Sequence, residues 1–522
     1  MIKFQKSLAF NALIIAVASL ASRILGLFRD RVLASEFGAG QVLDSYYAAF
    51  RIPDLLFNLL ILGALSSAFI PIFTEYISKK ELDQAWRVAS SVINFAILAL
   101  VGFGSFIFLF APQIVKLVTP GFDSERLRIT IELTRIMLLS PLFFGVSSIV
   151  GGMLNSFNRF FVYSLAPIMY NIGIIAGALF FVPLFGISGL AWGVVVGAFL
   201  HLLVQLPSVF KLGFSWRPVL DLVHPGVTRV GALMLPITFG LAVSQISLLV
   251  DTIIGSTLKV GSIAVINLAN NLASLPIGII GVSFALSAFP LMAQASSLGQ
   301  EDKFGDYFMY TLRQILFYIL PLSVIFLVFR AQIVRLVLGA GLFGWQDTIL
   351  TYRALGYFSF GLLAQATIPL AVRAFYASGD TKTPAKICLV ALLVNIAGSL
   401  VFSRFLGVSG LAFALTIAAF VNIILLLLAL NSKFTSLSLK SIAGPGLKMF
   451  FASITAGLFG YFALFAIERF INTLTFLGLF SQTSFAIAIF VLSYWLILFF
   501  IGLPEAKTVL KFFIKRNESA TD

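Results

Sequence analysis

Apolar runs of about twenty residues recur along this chain almost from end to end, each long enough to cross about 30 Å of hydrocarbon as a helix. That recurrence leaves one class of fold open. Barrel strands would appear as short alternating segments, and a soluble domain of 522 residues with 11% charged residues could not cover its own surface. The expected fold is an all-α polytopic membrane protein with about 14 transmembrane helices. They fall roughly at 8–35, 43–76, 87–110, 127–154, 160–183, 187–208, 228–256, 262–292, 307–329, 348–378, 385–405, 409–430, 447–470 and 483–502. The first run, with Lys3 and Lys6 before it, imitates a signal peptide but reads as an uncleaved span, with Gly26 as a candidate bend.

The net charge of +14 sits in short loops between spans, as topology signals do, rather than in a nucleic-acid patch. Nineteen loop lysines and arginines, from Lys3 to Arg516, lie on one side against eight on the other, which predicts both termini in the cytoplasm. FGISGLAWG at 185–193 returns as LGVSGLAFA at 406–414, and YNIGIIAG at 170–177 is echoed by VNIAG at 394–398. A repeat of six spans preserves orientation, so two parallel halves are expected. The predicted divisions are a six-helix lobe at 1–210, a second at 211–432, two extra helices at 433–503 and a cytoplasmic amphipathic tail at 504–522.

Against this background the stretch from Ser22 to Pro71 is anomalous. Arg23, Arg29, Asp30, Arg31, Asp44, Arg51 and Asp54 lie in or beside the first two spans. One such charge at a helix centre costs about 2.5–3.5 kcal/mol on insertion scales, so these side chains should face protein and water. Arg23 and Asp30 share a helical face by their spacing, as do Asp44 and Arg51. Salt bridges pinning the helices together explain part of the charge, but arginine is in surplus. Surplus arginine in a hydrated cavity matches an anion, and the planar guanidinium fork matches phosphate oxygens. Deep in the seventh span, Asp251 reads as a proton or coupling-ion site, with helix–helix hydrogen bonding as the competing role. Asn395, Ser399 and Thr416 offer oxygens that would complete a sodium shell.

Enzyme motifs are missing: the chain has no G-x-S-x-G, H-E-x-x-H or P-loop, and its loops are too short for a catalytic domain. The lone Cys388 permits no internal disulfide, and His201 and His224 read as satisfied or interfacial side chains. No nucleic acid and no obligate protein partner is expected.

SRILGLFRDRVLASEFGAG, LDSYYAAFRIPDLL and GALSSAFIPIFTEY closely resemble the opening of the lipid II flippase family (MurJ/MviN-like), and the likeness continues in LNSFNRFFVYSLAPIMYNI at 154–172 and RAFYASGDTKTPAK at 373–386. The family belongs to the multidrug/oligosaccharidyl-lipid/polysaccharide exporter superfamily. The resemblance implies two six-helix lobes plus two helices in the bacterial cytoplasmic membrane. It implies a cargo of undecaprenyl-pyrophosphate-linked disaccharide-pentapeptide (lipid II), moved to the outer leaflet by alternating access. By motif position, Arg23, Arg29 and Asp44 fall on cavity residues, with Asp30 beside them and Arg51 at a basic position. Asp251, Asn395 and Thr416 fall on a Na+ site, with Ser399 where a carboxylate would stand. Asn58 and Asn271 replace family arginines, and Leu62 replaces a glutamate. The alternatives are another polyprenyl-linked glycan or small molecule as cargo, or a membrane scaffold that transports nothing.

Overall fold

The computed structural model describes residues 2–434, 437–438 and 440–506, with side chains described at all of these except 2–16, 62–67, 235–237 and 239–241. Among the described residues the secondary structure is helical throughout, without strands. Each of the fourteen stretches falls on helix. Among the described residues eleven helices are long and apolar enough to cross a membrane by length and composition, and Ala242–Ser256 is a shorter apolar stretch of the helix Pro225–Ser256. The two charged N-terminal stretches and 228–256 are those outside the eleven. The tail expected to be amphipathic lies outside the described residues from Lys507 on.

The first helix, Ile2–Phe37, is continuous through Gly26. Irregularity appears elsewhere, as π-helical turns at Asn58–Leu62, Gly177–Phe181 and Ile277–Val282. A π-turn inserts an extra residue and re-aims the side chains that follow. The turns at Asn58 and Ile277 begin about 220 residues apart. The left-handed turn residues Gly38, Lys80, Asn158 and Gly186 return at the same spacing as Gly261, Gly299, Gly379 and Gly407. The internal repeat is therefore written in the backbone as well as in the motif at 185–193.

Two compact units emerge: one runs to Ala264 and includes Ala340–Gly344, and the other holds Val265–Gly339 and the chain from Trp345 on. The first unit extends past residue 210 because Pro225–Ser256 packs against Gly63–Ser78. Repetition and compactness are different quantities and need not share a boundary. The core of the first unit stacks Phe69 on Phe73 (5.0 Å) and Trp86 on Phe157 (5.7 Å). In the same unit, helix Phe160–Ala176 crosses helix Ser188–Leu203 at Gly173 and Gly193, where a Cβ would overlap the facing backbone. Small residues at such crossings let backbones approach in the absence of a hydrophobic drive between helices. In the second unit, Phe317, Phe329, Phe490 and Tyr494 join helix Glu301–Val328 to the C-terminal pair Lys440–Glu468 and Phe476–Phe500.

Candidate functional site

The charges of the first two spans resolve into three arrangements within the first unit. In the first, Arg29 forks onto Asp30, with Nε at 3.0 Å and Nη2 at 2.8 Å from Oδ1. Its Nη1 donates to Asn171 Oδ1 at 3.1 Å, and Asn171 Nδ2 donates in turn to Pro167 O at 3.0 Å. Asp30 is buried and Arg29 is partly open. Three of the five guanidinium N–H groups are thus committed, leaving two for a ligand.

The second arrangement surrounds Arg51. Its Nε donates to Thr252 Oγ1 at 2.8 Å, beside the buried Asp251. Asp54 and Asp251 are the carboxylates that act on its charge. Tyr47, buried on the same helix as Arg51, lies in the field of Asp30, Arg29 and Arg51, and among the described residues its hydroxyl has no hydrogen-bond partner. An orphaned hydroxyl among buried charges is a place for water or a ligand oxygen, because leaving it unpaired costs about 1–3 kcal/mol.

The third arrangement uses Asp44 as a cap. Its Oδ2 accepts from Gly261 N at 2.6 Å and its Oδ1 from Ala264 N at 2.8 Å. These amides lie at the start of helix Ser262–Pro276, where unsatisfied N–H groups favour a carboxylate. Gly261 has φ +90° and sits against the Ala39 carbonyl, where a Cβ would overlap the oxygen. Nearby turns join the same end of the unit: Leu342 N donates to Ser35 O at 2.7 Å and Gly121 N to Ser256 Oγ at 3.2 Å. Both Asp44 oxygens are therefore committed to this turn.

Arg23 stands apart. It is half-buried and, among the described residues, makes no hydrogen bond or ion pair. It lines a cavity of about 590 Å³ whose polar lining includes Ser22, Ser147, Ser148, Asn155 and His201. Ser147 Oγ lies 2.7 Å from His201 Nδ1 and accepts from Gln205 Nε2 at 2.6 Å, so the histidine is satisfied. His224 is satisfied too, accepting from Gly226 N at 3.0 Å through Nδ1.

The structure thus brings Arg29, Asp30 and Arg51 into one electrostatic neighbourhood around Tyr47 and leaves Arg23 to its own cavity. The arginine surplus read from the sequence narrows, because Asp30, Asp54 and Asp251 accompany Arg29 and Arg51. Asp251 lies in the first unit, beside Thr252. Asn395 and Thr416 lie in the second. There Ser399 Oγ donates to Asn395 Oδ1 at 3.4 Å and Thr416 Oγ1 to Tyr357 O at 2.9 Å, and all three side chains are buried. Asn58 Nδ2 donates to Asp54 O at 2.7 Å, closing the turn at the start of the π-segment. Asn171, Tyr47 and Thr252 were not singled out from the sequence. A polar side chain inside an apolar span was the available signal for each.

The family model for "Lipid II flippase MurJ" matches residues 33–497. A probable lipid II flippase MurJ of Buchnera aphidicola subsp. Schizaphis graminum is 34% identical over 423 residues, covering 80% of this chain and 82% of its own. The lipid II flippase MurJ of Burkholderia cenocepacia is 31% identical over 438 residues, covering 81% and 84%. Among solved structures, a lipid II flippase MurJ in an inward closed conformation superposes with a TM-score of 0.77 at 25% identity, covering 94% of this chain and 99% of that one. An inward-facing multidrug resistance MATE transporter of the MOP superfamily shares the fold, with a TM-score of 0.69 at 16% identity.

Proposed function

This chain belongs to the lipid II flippase MurJ family, and we infer from its site how it handles its cargo. It is a multi-span membrane transporter that flips lipid II, the lipid-linked precursor of peptidoglycan, and not an enzyme. The cargo in this reading is undecaprenyl-pyrophosphate-linked disaccharide-pentapeptide. Its diphosphate is drawn by Arg23 and then held by the free N–H groups of Arg29 and by Arg51. Tyr47 supplies a neutral donor between them. Arg23 carries the reading: a half-buried guanidinium with no carboxylate partner among the described residues, in a cavity that also presents Ser22, Ser147, Ser148 and Asn155, is poised for an anion.

Transport proceeds by alternating access of the two repeat halves, with both termini in the cytoplasm. Asp44 contributes as a latch rather than as a ligand, because moving the Gly261–Ala264 turn away breaks two buried hydrogen bonds. With the inside negative, each negative charge carried fully outward gains about 2.3 kcal/mol per 100 mV. The return of the cationic site works against that field, and a Na+ ion drawn by Asp251 in the first unit, or by Asn395 and Thr416 in the second, would offset it.

Complementation of a strain depleted of its own flippase tests the reading. Arg29→Ala should abolish growth while the protein reaches the membrane at normal levels. Full rescue by that variant would remove Arg29 from the site.

A further inference from the structure

A second arginine-bearing cavity lies in the second unit, far along the chain from Arg23, Arg29 and Arg51. Four helices meet at one end there: Glu301–Val328 and Lys440–Glu468 end, and Trp345–Ala377 and Phe476–Phe500 begin. The cavity holds about 500 Å³ and is lined by Arg330, Gln332 and Arg335 together with apolar Leu464, Phe465 and Leu479.

Both guanidinium groups are half-buried, and each is held by a backbone carbonyl and an aromatic ring. Arg330 donates to Leu327 O at 2.6 Å and lies 5.7 Å from the Tyr352 ring centroid. Arg335 donates to Thr473 O at 3.3 Å and lies 6.0 Å from the Trp345 centroid. Among the described residues neither forms an ion pair, although Glu468 lines the same cavity. Gln332 Oε1 is buried in the same wall and has no hydrogen-bond partner among the described residues.

These features specify a ligand. Two guanidinium groups without an ion pair, against the single carboxylate of Glu468 in the same wall, ask for a phosphate, since Arg meets phosphate oxygens through charge-assisted hydrogen bonds. An orphaned amide oxygen asks for a hydroxyl donor. The apolar wall asks for a hydrocarbon chain. The position suits a lipid, because the cavity sits where spans end and where Trp345, Tyr352 and Tyr461 mark the level of the head groups. By the loop-charge topology this is the outer leaflet.

We propose that this cavity binds the head group of an anionic glycerophospholipid that carries a free hydroxyl. Its phosphate rests on Arg330 and Arg335, its head-group hydroxyl donates to Gln332, and an acyl chain lies along Leu464, Phe465 and Leu479. Such a lipid ties the C-terminal helix pair to the rest of its unit. It shares no residue with the flippase site and does not depend on the reading of that site.

Phosphatidylglycerol titrated into the detergent-solubilised full chain, read by native mass spectrometry, tests this. The first adduct should weaken about tenfold or more in the Arg330→Gln/Arg335→Gln double variant, the scale of losing one or two charge-assisted hydrogen bonds. Gln332→Leu should bind phosphatidic acid as before and lose the preference for phosphatidylglycerol over it. Inorganic phosphate alone at the same concentration should give no comparable adduct, because it leaves the apolar wall unused. Unchanged phosphatidylglycerol binding by the double variant would overturn the proposal. So would an equal affinity for zwitterionic phosphatidylethanolamine, or a phosphate adduct as strong as the lipid's. If the double variant does not fold, Gln332→Leu decides: an unaltered head-group preference contradicts the proposal.

Discussion

Helix Gln41–Ser78 and helix Ser262–Ser297 occupy the same place in the two halves of the repeat and share a construction. Each follows a left-handed glycine, Gly38 or Gly261, and each is interrupted by a π-turn about 220 residues from its counterpart. Their chemistry differs. The first carries Asp44, Arg51 and Asp54, whereas the second carries Asn267, Asn270 and Asn271 and no charge at all. Between these two helices, duplication has kept the backbone device while the charges belong to one. The repeat is thus a scaffold, and the site is an asymmetric addition to it.

The sharpest way to break that comparison is to remove charge from the charged helix. Arg51→Ala leaves Asp54 and Asp251 without their cation, which should cost about 3–5 kcal/mol in thermal or denaturant unfolding and abolish complementation, with Arg51→Lys recovering part of both. Next come the left-handed glycines. Gly261→Ala forces a Cβ against Ala39 O at a φ of +90°, for about 2–3 kcal/mol, and should loosen the Asp44 cap; Gly407→Ala, at a φ of +59° with open space around it, should cost about 1 kcal/mol, the left-handed strain alone. A stability scan that ranked Gly407 above Gly261 would remove the special role given to the Asp44 cap. In the neutral helix, Asn271→Ala should cost about 1 kcal/mol or less and preserve growth in the depleted strain. Lost growth there would show that this neutral helix carries part of the site. Smallest of all, Glu75→Gln breaks exposed pairs with Lys79 and Arg229 and should shift the unfolding midpoint immeasurably.

The helical, multi-span class was legible because apolar length is a local property that lipid enforces everywhere. The repeat was legible at 185–193 because a tight glycine turn requires particular residues. Its π-turns were hidden, since nothing in NLLIL or IGIIGV departs from ordinary apolar helix. The charged residues announced themselves by their cost in lipid, but spacing along one helix cannot say which neighbours answer them. Arg29 meets Asn171, 142 residues away, and Arg51 meets Thr252, 201 residues away. Asp44 read as a cavity side chain, yet its oxygens cap a turn more than two hundred residues on. Such pairings are decided by tertiary packing.

The central claim is that Arg23 presents an unanswered positive charge to a diphosphate within a hydrated cavity. Its most direct test is the dissociation constant for lipid II of the purified full chain against that of Arg23→Gln in the same detergent, with the unfolding midpoint as control. The account predicts affinity weakened about tenfold or more with the midpoint unchanged. Equal affinity in the two proteins would contradict it.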